Sequence, residues 1–251
     1  MAMRSLLLGL LVFPVFAQAA QCTARSGPGT AALVELYTSE GCSSCPPADR
    51  WLSTLSSRPS SSVVPLALHV DYWDYIGWKD PYARREFSLR QRKFTQLQRM
   101  AFVYTPQVML QGRDFRGWGS AAFEDAVARI NAQPAKASLK LAILGADASG
   151  VHVEVGAELV QASAAADLYL AAYQNRLESR VNAGENRGRL LTHDYVVLQW
   201  EGPFALPKGS LVERRKLAWL PGAAPAQSGV AAFVQDRRTG EVLQALLRSS
   251  C

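Results

Sequence analysis

The sequence predicts an α/β domain followed by an antiparallel β-sandwich-like domain. Between residues 31 and 70, two apolar runs flank a segment with helical spacing, which is the pattern of a βαβ unit in a parallel sheet. After about residue 138, seven short β-prone runs alternate with turn signals, which is typical of a β-sandwich. We therefore predict domains at residues 20–134 and 138–251, joined by a linker near residues 131–137.

The composition excludes several classes of protein. Hydrophobic residues make up 49% and charged residues 19% of the 251 residues, which does not fit a disordered, collagen-like or coiled-coil chain. The 27 Lys and Arg exceed the 21 Asp and Glu, giving a formal net charge of +6. This charge is spread along the chain and accompanies no nucleic-acid motif, so we expect no nucleic-acid partner.

The first 19 residues have the pattern of a cleavable signal peptide. Arg4 provides a positive start, residues 6–16 form a short apolar run, and Ala17-Gln18-Ala19 is a small-residue cleavage site. The apolar run is shorter than the roughly 20 residues that a membrane span needs. We expect a periplasmic or secreted protein without stable membrane insertion. A short membrane anchor is the alternative.

The first domain is expected to begin with a strand over residues 31–37. A turn and a helix follow, because Ala48, Trp51, Leu52 and Leu55 recur at helical spacing. Residues 63–70 form the second apolar run and predict the next strand.

Residues 81–100 predict a second helix, with Pro81 in its first turn. Phe87, Phe94 and Leu97 fall on one stripe, and arginines occupy the other sides, which we interpret as a solvated face rather than an anion-binding one. A hairpin about Gly112, with strands at Val108–Leu110 and Asp114–Trp118, and a last helix capped by Ser120 complete the predicted domain.

The predicted strands of the second domain are short and separated by Gly, Pro, Asp or Thr turn signals. They cover Leu139–Leu144, Val151–Val155, Asp167–Tyr173, Tyr195–Trp200, Leu211–Leu220, Val230–Gln235 and Glu241–Leu247.

Four cysteines allow three pairings. Cys42 and Cys45 are close in sequence, whereas Cys22 and Cys251 lie at the two ends of the mature chain. We predict the pairs Cys42–Cys45 and Cys22–Cys251, because free thiols are a liability in an oxidising compartment and chain termini often lie close together. Two unpaired terminal thiols are the alternative.

The Cys42-Ser43-Ser44-Cys45 motif carries the candidate chemistry, because it follows a strand and precedes a helix. Free N–H groups and the positive end of a helix dipole favour a thiolate at such a place, with thiol pKa values of roughly 3.5–7.5. Thiolate is the species that attacks a disulfide. Pro46 and Pro47 fit only the first helical turn, so we expect the helix to begin near Ser44 with Cys42 in the preceding loop.

Residues 30–133 resemble the thioredoxin-like superfamily. The segment LYTSEGCSSC is similar to the strand, turn and CxxC motif of glutaredoxins, and Tyr104-Thr105-Pro106 resembles the cis-proline loop. More narrowly, ELYTSEGCSSCPPAD, HVDYWDYIGWKDP, YTPQV and GENRGRLLTHDYVV resemble a bacterial secreted family called domain of unknown function 1223. The resemblance implies a thioredoxin-like domain followed by a β-rich domain. The family name itself does not indicate an activity.

The resemblance implies roles for five residues. Cys42 would be the nucleophile, Cys45 the resolving thiol, and Pro106 a cis-proline facing the disulfide. The backbone of Thr105 would pair with an extended peptide substrate. Glu35 resembles the buried carboxylate that relays the proton of the resolving thiol, although it lies one residue further from the motif than in thioredoxins.

We therefore expect an exported thiol–disulfide oxidoreductase or redox-linked chaperone that acts on protein thiols or disulfides without a cofactor. A non-catalytic secreted binding module with a structural disulfide is the main alternative. A copper or zinc site made by the two cysteines and His69 is a weaker one.

Two further groups of residues leave their interpretation open. An aromatic cluster lines a peptide groove or caps the core; it comprises Tyr72, Trp73, Tyr75 and Trp78. His193 and Asp194 are expected to be core or turn residues rather than a hydrolase pair, because the sequence has no nucleophile elbow.

Overall fold

The computed structural model describes residues 22–147, 149–161, 165–219 and 225–250. Within these ranges the helices are α1 (Pro46–Thr54), α2 (Arg85–Leu97) and α3 (Ala121–Asn131). The strands there are β1 (Thr23–Arg25), β2 (Ala32–Thr38), β3 (Val63–His69), β4 (Gln107–Leu110), β5 (Arg113–Asp114), β6 (Ala137–Asp147), β7 (Gly150–Leu159), β8 (Ala166–Gln174), β9 (Leu177–Arg180), β10 (Leu190–His193), β11 (Val196–Ala205), β12 (Ser210–Ala218), β13 (Ser228–Asp236) and β14 (Val242–Ser249). The predicted signal peptide and Cys251 lie outside the described residues.

The predicted βαβ unit is present. Strands β2 and β3 pair in parallel, with Ala32 opposite Val63 and Thr38 opposite His69, and α1 lies between them in the chain. Every residue of both strands is buried, which explains why they are continuous apolar runs rather than alternating patterns.

Helix α2 begins later than the sequence predicted. The predicted first turn at Pro81 is wrong, because the helix starts at Arg85 and Arg84 has an extended backbone conformation. The N–H group of Arg84 donates to the carbonyl of His69, at 3.0 Å, so the chain before α2 is bound to the end of β3 instead of coiling. Phe87 and Phe94 are buried as expected, whereas Leu97 is exposed.

The predicted last helix is confirmed, and a hairpin forms about Gly112, but its second strand covers Arg113–Asp114 rather than the predicted Asp114–Trp118. Strands β4 and β5 pair around Gln111 and Gly112, which both have positive φ angles, as a tight two-residue turn requires. The Ser120 side chain accepts a hydrogen bond from the N–H of Ala122 and caps α3.

All seven predicted strands of the second half form, and they belong to two sheets. The order of the larger sheet is β14-β13-β8-β11-β3-β2-β4-β5, and that of the smaller one is β1-β6-β7-β12. Apolar side chains of the two sheets pack into one cluster, as in a sandwich; they include Leu139, Leu141, Val153, Val155, Leu168, Leu170, Ala232 and Val234.

One sheet crosses the predicted domain boundary. Strand β11 from the second half lies parallel to β3, with Val196 opposite Ala67, so eight strands from both halves form one hydrogen-bonded sheet. The sequence analysis did not foresee this continuity, because strand runs do not reveal which strands become neighbours. The protein is therefore a mixed α/β protein, dominated by β-sheet, with several sheets.

Candidate functional site

The predicted Cys42–Cys45 disulfide is present at the start of α1. The two Cα atoms are 5.4 Å apart, and Cys45 is the N-cap residue of the helix. Pro46 and Pro47 occupy the first two helical positions, so the helix begins two residues later than Ser44 and Cys42 lies in the loop before it. Neither proline has an N–H group, and the N–H of Ala48 donates to the carbonyl of Cys45. The helix start therefore offers few free donors to a sulfur atom.

The Ser44 side chain supplies a polar contact to the first sulfur. Its Oγ lies 3.3 Å from Sγ of Cys42. Ser43 and Ser44 are exposed, but Cys42 is only 1% exposed and Cys45 is fully buried. The disulfide is thus covered by other parts of the chain, although it lies just beneath the surface.

The predicted cis-proline loop precedes β4, which pairs with the strand that leads to the motif. The Thr105–Pro106 peptide bond is cis, and the following residue, Gln107, pairs with Tyr37 near the end of β2. The indole nitrogen of Trp73 donates to Oγ1 of Thr105 at 2.8 Å. A methyl group on Gly41 would lie 3.0 Å from Cβ of Trp73. Trp73 therefore connects the residue before Cys42 to the residue before Pro106.

Glu35 is buried, as predicted, but its contacts lie away from the motif. Its two carboxylate oxygens accept hydrogen bonds from Nε of Arg90, at 2.6 Å, and from Nη2 of the same side chain, at 3.2 Å. Arg90 belongs to α2, whereas Thr38 on the same strand donates to Asp49 of α1. Successive side chains of a strand point to opposite faces, so the extra residue between Glu35 and the motif turns its carboxylate away from α1.

Five buried ionisable side chains lie at the carboxyl ends of β2 and β3, close to the motif. They are Glu40, Asp49, His69, Asp80 and His193, each at most 6% exposed. The sequence analysis missed this cluster, apart from naming His69 and His193 singly, because its members are separated by up to 153 residues.

Within the cluster, Asp80 organises the turn before the motif. Its Oδ2 lies 2.7 Å from Nδ1 of His69 and accepts the N–H of Glu40 at 2.8 Å, and its Oδ1 accepts the N–H of Tyr82. Burial acts to raise the pKa of Asp80, but the charge and hydrogen bond of His69 outweigh it and lower this pKa. Burial acts to lower the pKa of His69, and Asp80, Asp49 and Glu40 together raise it.

The second histidine of the cluster, His193, lies between the carboxylates of Glu40 and Asp49. Nε2 of His193 lies 3.2 Å from Oε1 of Glu40, and Nδ1 lies 3.8 Å from Oδ2 of Asp49. Trp78 and Ser179 donate to Oε2 of Glu40, at 2.7 and 3.1 Å. Burial raises the pKa of Asp49, and the nearby His193 and His69 and the Thr38 hydroxyl only partly offset it.

The hairpin formed by β9 and β10 covers the motif. The amide nitrogen of Asn186 donates to the carbonyls of Glu40, at 2.8 Å, and Cys42, at 2.9 Å, and Asn186 is fully buried. The carboxylate of Glu185 accepts the N–H of Ser43 at 2.9 Å. The sequence offered a turn signal at Gly184 and the GENRGRLLTHDYVV segment of the family resemblance, and neither predicted the contacts that Asn186 and Glu185 make with the motif.

The two groups left open by the sequence now have defined contacts. Trp73 and Trp78 are partly buried and bind the residues around the motif, whereas Tyr75 is 83% exposed. Asp194 accepts the N–H of Arg176 and so belongs to a turn, while His193 joins the buried cluster.

The other predictions about the site are only partly covered by the described residues. The pairing of Cys22 with Cys251 lies outside them at its Cys251 end and stays a prediction. Among the residues described, no group of three or more His, Cys, Asp or Glu side chains is placed to hold a metal ion, and His69 bonds to Asp80 rather than to the motif. No helix in these ranges has the length and apolar character to span a membrane.

These features define a mixed α/β protein with a CxxC disulfide at a helix start. The chain belongs to the family described as protein of unknown function (DUF1223), whose model matches residues 33–235.

Two solved structures share the fold of this protein at low sequence identity. Protein AGR_C_4864 from Agrobacterium tumefaciens is 24% identical, with a TM-score of 0.66 over 89% of this chain and 96% of that one. HBP35 of Porphyromonas gingivalis is 15% identical, with a TM-score of 0.68 over 90% of this chain and 76% of that one. A search of the curated proteins finds no match. At these identities the likenesses indicate a shared fold and no activity.

Proposed function

We propose that this protein is an exported thiol–disulfide oxidoreductase, or redox-linked chaperone, that exchanges the Cys42–Cys45 disulfide with protein thiols. The observation that carries the proposal is the placement of this disulfide between the loop after β2 and the N-cap of α1, with the cis Thr105–Pro106 bond just before the neighbouring strand β4. The pairing of β3, β2, β4 and β5, with α1, α2 and α3 between or after them, supports a thioredoxin-like arrangement of this half.

The exchange balances without a further cofactor. In the oxidising direction, a substrate thiolate attacks Sγ of Cys42, the new sulfur–sulfur bond forms, and the electron pair of the old bond leaves on Cys45. A second substrate thiolate then attacks the substrate sulfur of this mixed disulfide and releases the Cys42 thiolate. The substrate gains a disulfide, and the protein gains two electrons as a dithiol. The reducing direction is the reverse.

Asp49 is the carboxylate that we assign to the proton of Cys45, in place of Glu35. It lies four residues after Cys45, and side chains at this spacing share one face of a helix. Burial raises the pKa of Asp49, which suits a carboxyl that gives a proton to the departing Cys45 thiolate and takes it back in the reverse step.

The test is capture of the mixed disulfide. A reduced Cys45→Ser variant, offered an unfolded disulfide-containing protein, is expected to form a covalent adduct through Cys42. The Cys42→Ser/Cys45→Ser variant is the matched control and forms none. Absence of any adduct on Cys45→Ser under conditions that open the site would refute the proposal.

Burial of both sulfurs supports a second candidate function. A secreted binding module would use the disulfide as a permanent staple, protected from solvent as this one is. The reduction potential separates the two candidates, because structural disulfides fall below roughly −300 mV and exchange enzymes lie above it.

A further inference from the structure

Residues 181–189, which connect β9 to β10, form a compact loop that we call the strap. The N–H groups of Val181 and Gly188 bond to the carbonyls of Arg189 and Val181, at 3.0 and 2.8 Å. The N–H of Arg187 bonds to the carbonyl of Gly184, and Gly184 and Gly188 have positive φ angles. The strap therefore holds its own shape through internal hydrogen bonds.

The strap binds the backbone on both sides of the first cysteine. Asn186 donates to the carbonyls of Glu40 and Cys42, and Glu185 accepts the N–H of Ser43. Since Pro46 and Pro47 lack N–H groups, the Ser43 N–H is one of the remaining backbone donors between Cys42 and the helix. Glu185 occupies this donor while the strap is in place.

A second layer holds the strap down. A methyl group on Gly184 would lie 2.9 Å from Cδ1 of Ile76, and Cβ of Ala183 lies 3.8 Å from the corresponding position on Gly77. Cδ1 of Ile76 in turn lies 3.3 Å from the position that a methyl group on Gly41 would take. The strap and the segment around Ile76 thus meet directly over the loop that carries Cys42.

We propose that the strap is a cover that shields the Cys42–Cys45 disulfide and has to lift before another thiol can reach it. This regulation deepens the proposed exchange function and rests on it for its biological meaning. The cover is local, because three hydrogen bonds join it to the loop around Cys42, and its packing against the segment around Ile76 involves Ala183 and Gly184, at the end of a hairpin. Local openings of this kind require less free energy than global unfolding.

Two glycines of the strap provide a matched test. Gly184→Ala adds a methyl group against Ile76 at a positive φ angle of 71°, whereas Gly188→Ala adds one at a φ angle of 84° with no atom within 4 Å. Both variants carry similar backbone strain, and only the first also crowds Ile76, so that either the Ile76 side chain or the strap has to shift. We expect the disulfide of Gly184→Ala to be reduced by dithiothreitol at least tenfold faster than that of Gly188→Ala in native buffer.

Equal reduction rates for the two variants would overturn the proposal. The Asn186→Ala variant provides a second measurement, because it removes both donors to the Glu40 and Cys42 carbonyls while leaving the glycines intact. It is expected to be reduced faster than the wild type, with a rate that changes little in low urea, as local opening requires. A reduction rate that rises steeply with urea concentration indicates global unfolding, and this result would contradict a local opening of the strap.

The reduction assay needs no substrate, so it separates the two proposals. If Gly184→Ala is reduced faster than Gly188→Ala but Cys45→Ser traps no adduct, the proposal that the strap is a cover stands and the proposed exchange function is refuted. An adduct together with equal rates for the two glycine variants would do the opposite.

Discussion

The side-chain amide of Asn186 donates a hydrogen bond to the carbonyl oxygen of Cys42, 144 residues earlier in the chain, at 2.9 Å. This contact joins a loop of the β-rich half to the CxxC motif of the α/β half. The surroundings of the disulfide therefore include residues from both halves, which one continuous sheet holds together. The predictions below test the groups that surround this junction.

Ser44 is expected to stabilise the Cys42 thiolate in the reduced protein. Its hydroxyl lies 3.3 Å from Sγ of Cys42, and a neutral hydrogen bond is worth about 1 kcal/mol, which corresponds to roughly a fivefold effect. Ser44→Ala should therefore slow alkylation of reduced Cys42 at pH 7 about two- to fivefold. Ser43→Ala is the control, because the described contact of Ser43 is made by its backbone. Equal rates for the two variants would contradict the role of the hydroxyl.

Asp49 should destabilise the protein at neutral pH, because burial raises its pKa above the unfolded value of 3.8. Such a carboxyl binds its proton more tightly in the folded state, so its stabilising contribution is present below pH 3.8 and is lost as the pH rises through the folded pKa. Asp49→Asn should raise the unfolding temperature at pH 7, by roughly 2–4 °C for each kcal/mol gained.

The stabilising effect of Asp49→Asn should vanish below pH 3.8, which calorimetry at two pH values can check. On the proposed function, the same variant should also slow release of substrate from the Cys42 mixed disulfide at pH 7. Stabilisation of equal size at both pH values would argue against a buried, titrating carboxylate.

The His69–Asp80 pair predicts a pH dependence of stability. The pKa of His69 is raised from 6.5, so its stabilising contribution is complete below pH 6.5 and is lost as the pH rises through the folded pKa. The pKa of Asp80 is lowered from 3.8, so its contribution is present above pH 3.8 and is lost as the pH falls through the folded pKa.

Urea unfolding of the wild type and of His69→Asn over pH 6 to 9 tests this pair. The free energy of unfolding of the wild type should fall across this range by more than that of His69→Asn, whatever the absolute stability of the variant. Parallel pH profiles of the two proteins would show that folding does not raise the pKa of His69.

The Glu35–Arg90 pair should behave as a buried ion pair with a structural role. The Arg90 guanidinium also lies about 5 Å from the ring centroids of Phe94 (4.8 Å), Trp200 (4.7 Å) and Phe233 (5.2 Å). Arg90→Met should cost about 3–5 kcal/mol of unfolding free energy, because the Glu35 charge loses its partner.

The double variant Glu35→Met/Arg90→Met should recover most of that loss, and chemical denaturation measures both values. Since Glu35 points away from the motif, Glu35→Met/Arg90→Met should also keep the wild-type reduction potential. A shift in that potential would restore the relay role that the sequence resemblance implied for Glu35.

The sequence by itself determined most of the helices and strands and the motif, but neither β1 nor the β9–β10 hairpin. Apolar runs gave β2 and β3, helical spacing gave α1 and α3, and turn residues marked the hairpin about Gly112, because all of these depend on residues close together in the chain. The Cys42–Cys45 pairing and the cis-proline loop also followed from short segments and their resemblance to a known superfamily.

The tertiary structure alone decided which groups surround the motif. Because side chains alternate between the two faces of β2, Glu35 faces Arg90, whereas Thr38 faces Asp49. Asp49 also lies next to His193. The buried cluster and the strap join residues more than a hundred positions apart. The separate β9–β10 hairpin, which carries His193 and the strap, lies in the chain between β8 and β11, and these two strands are neighbours in the shared sheet. Periodicity reports which face of an element is buried, whereas the choice of its partners depends on packing across the whole chain.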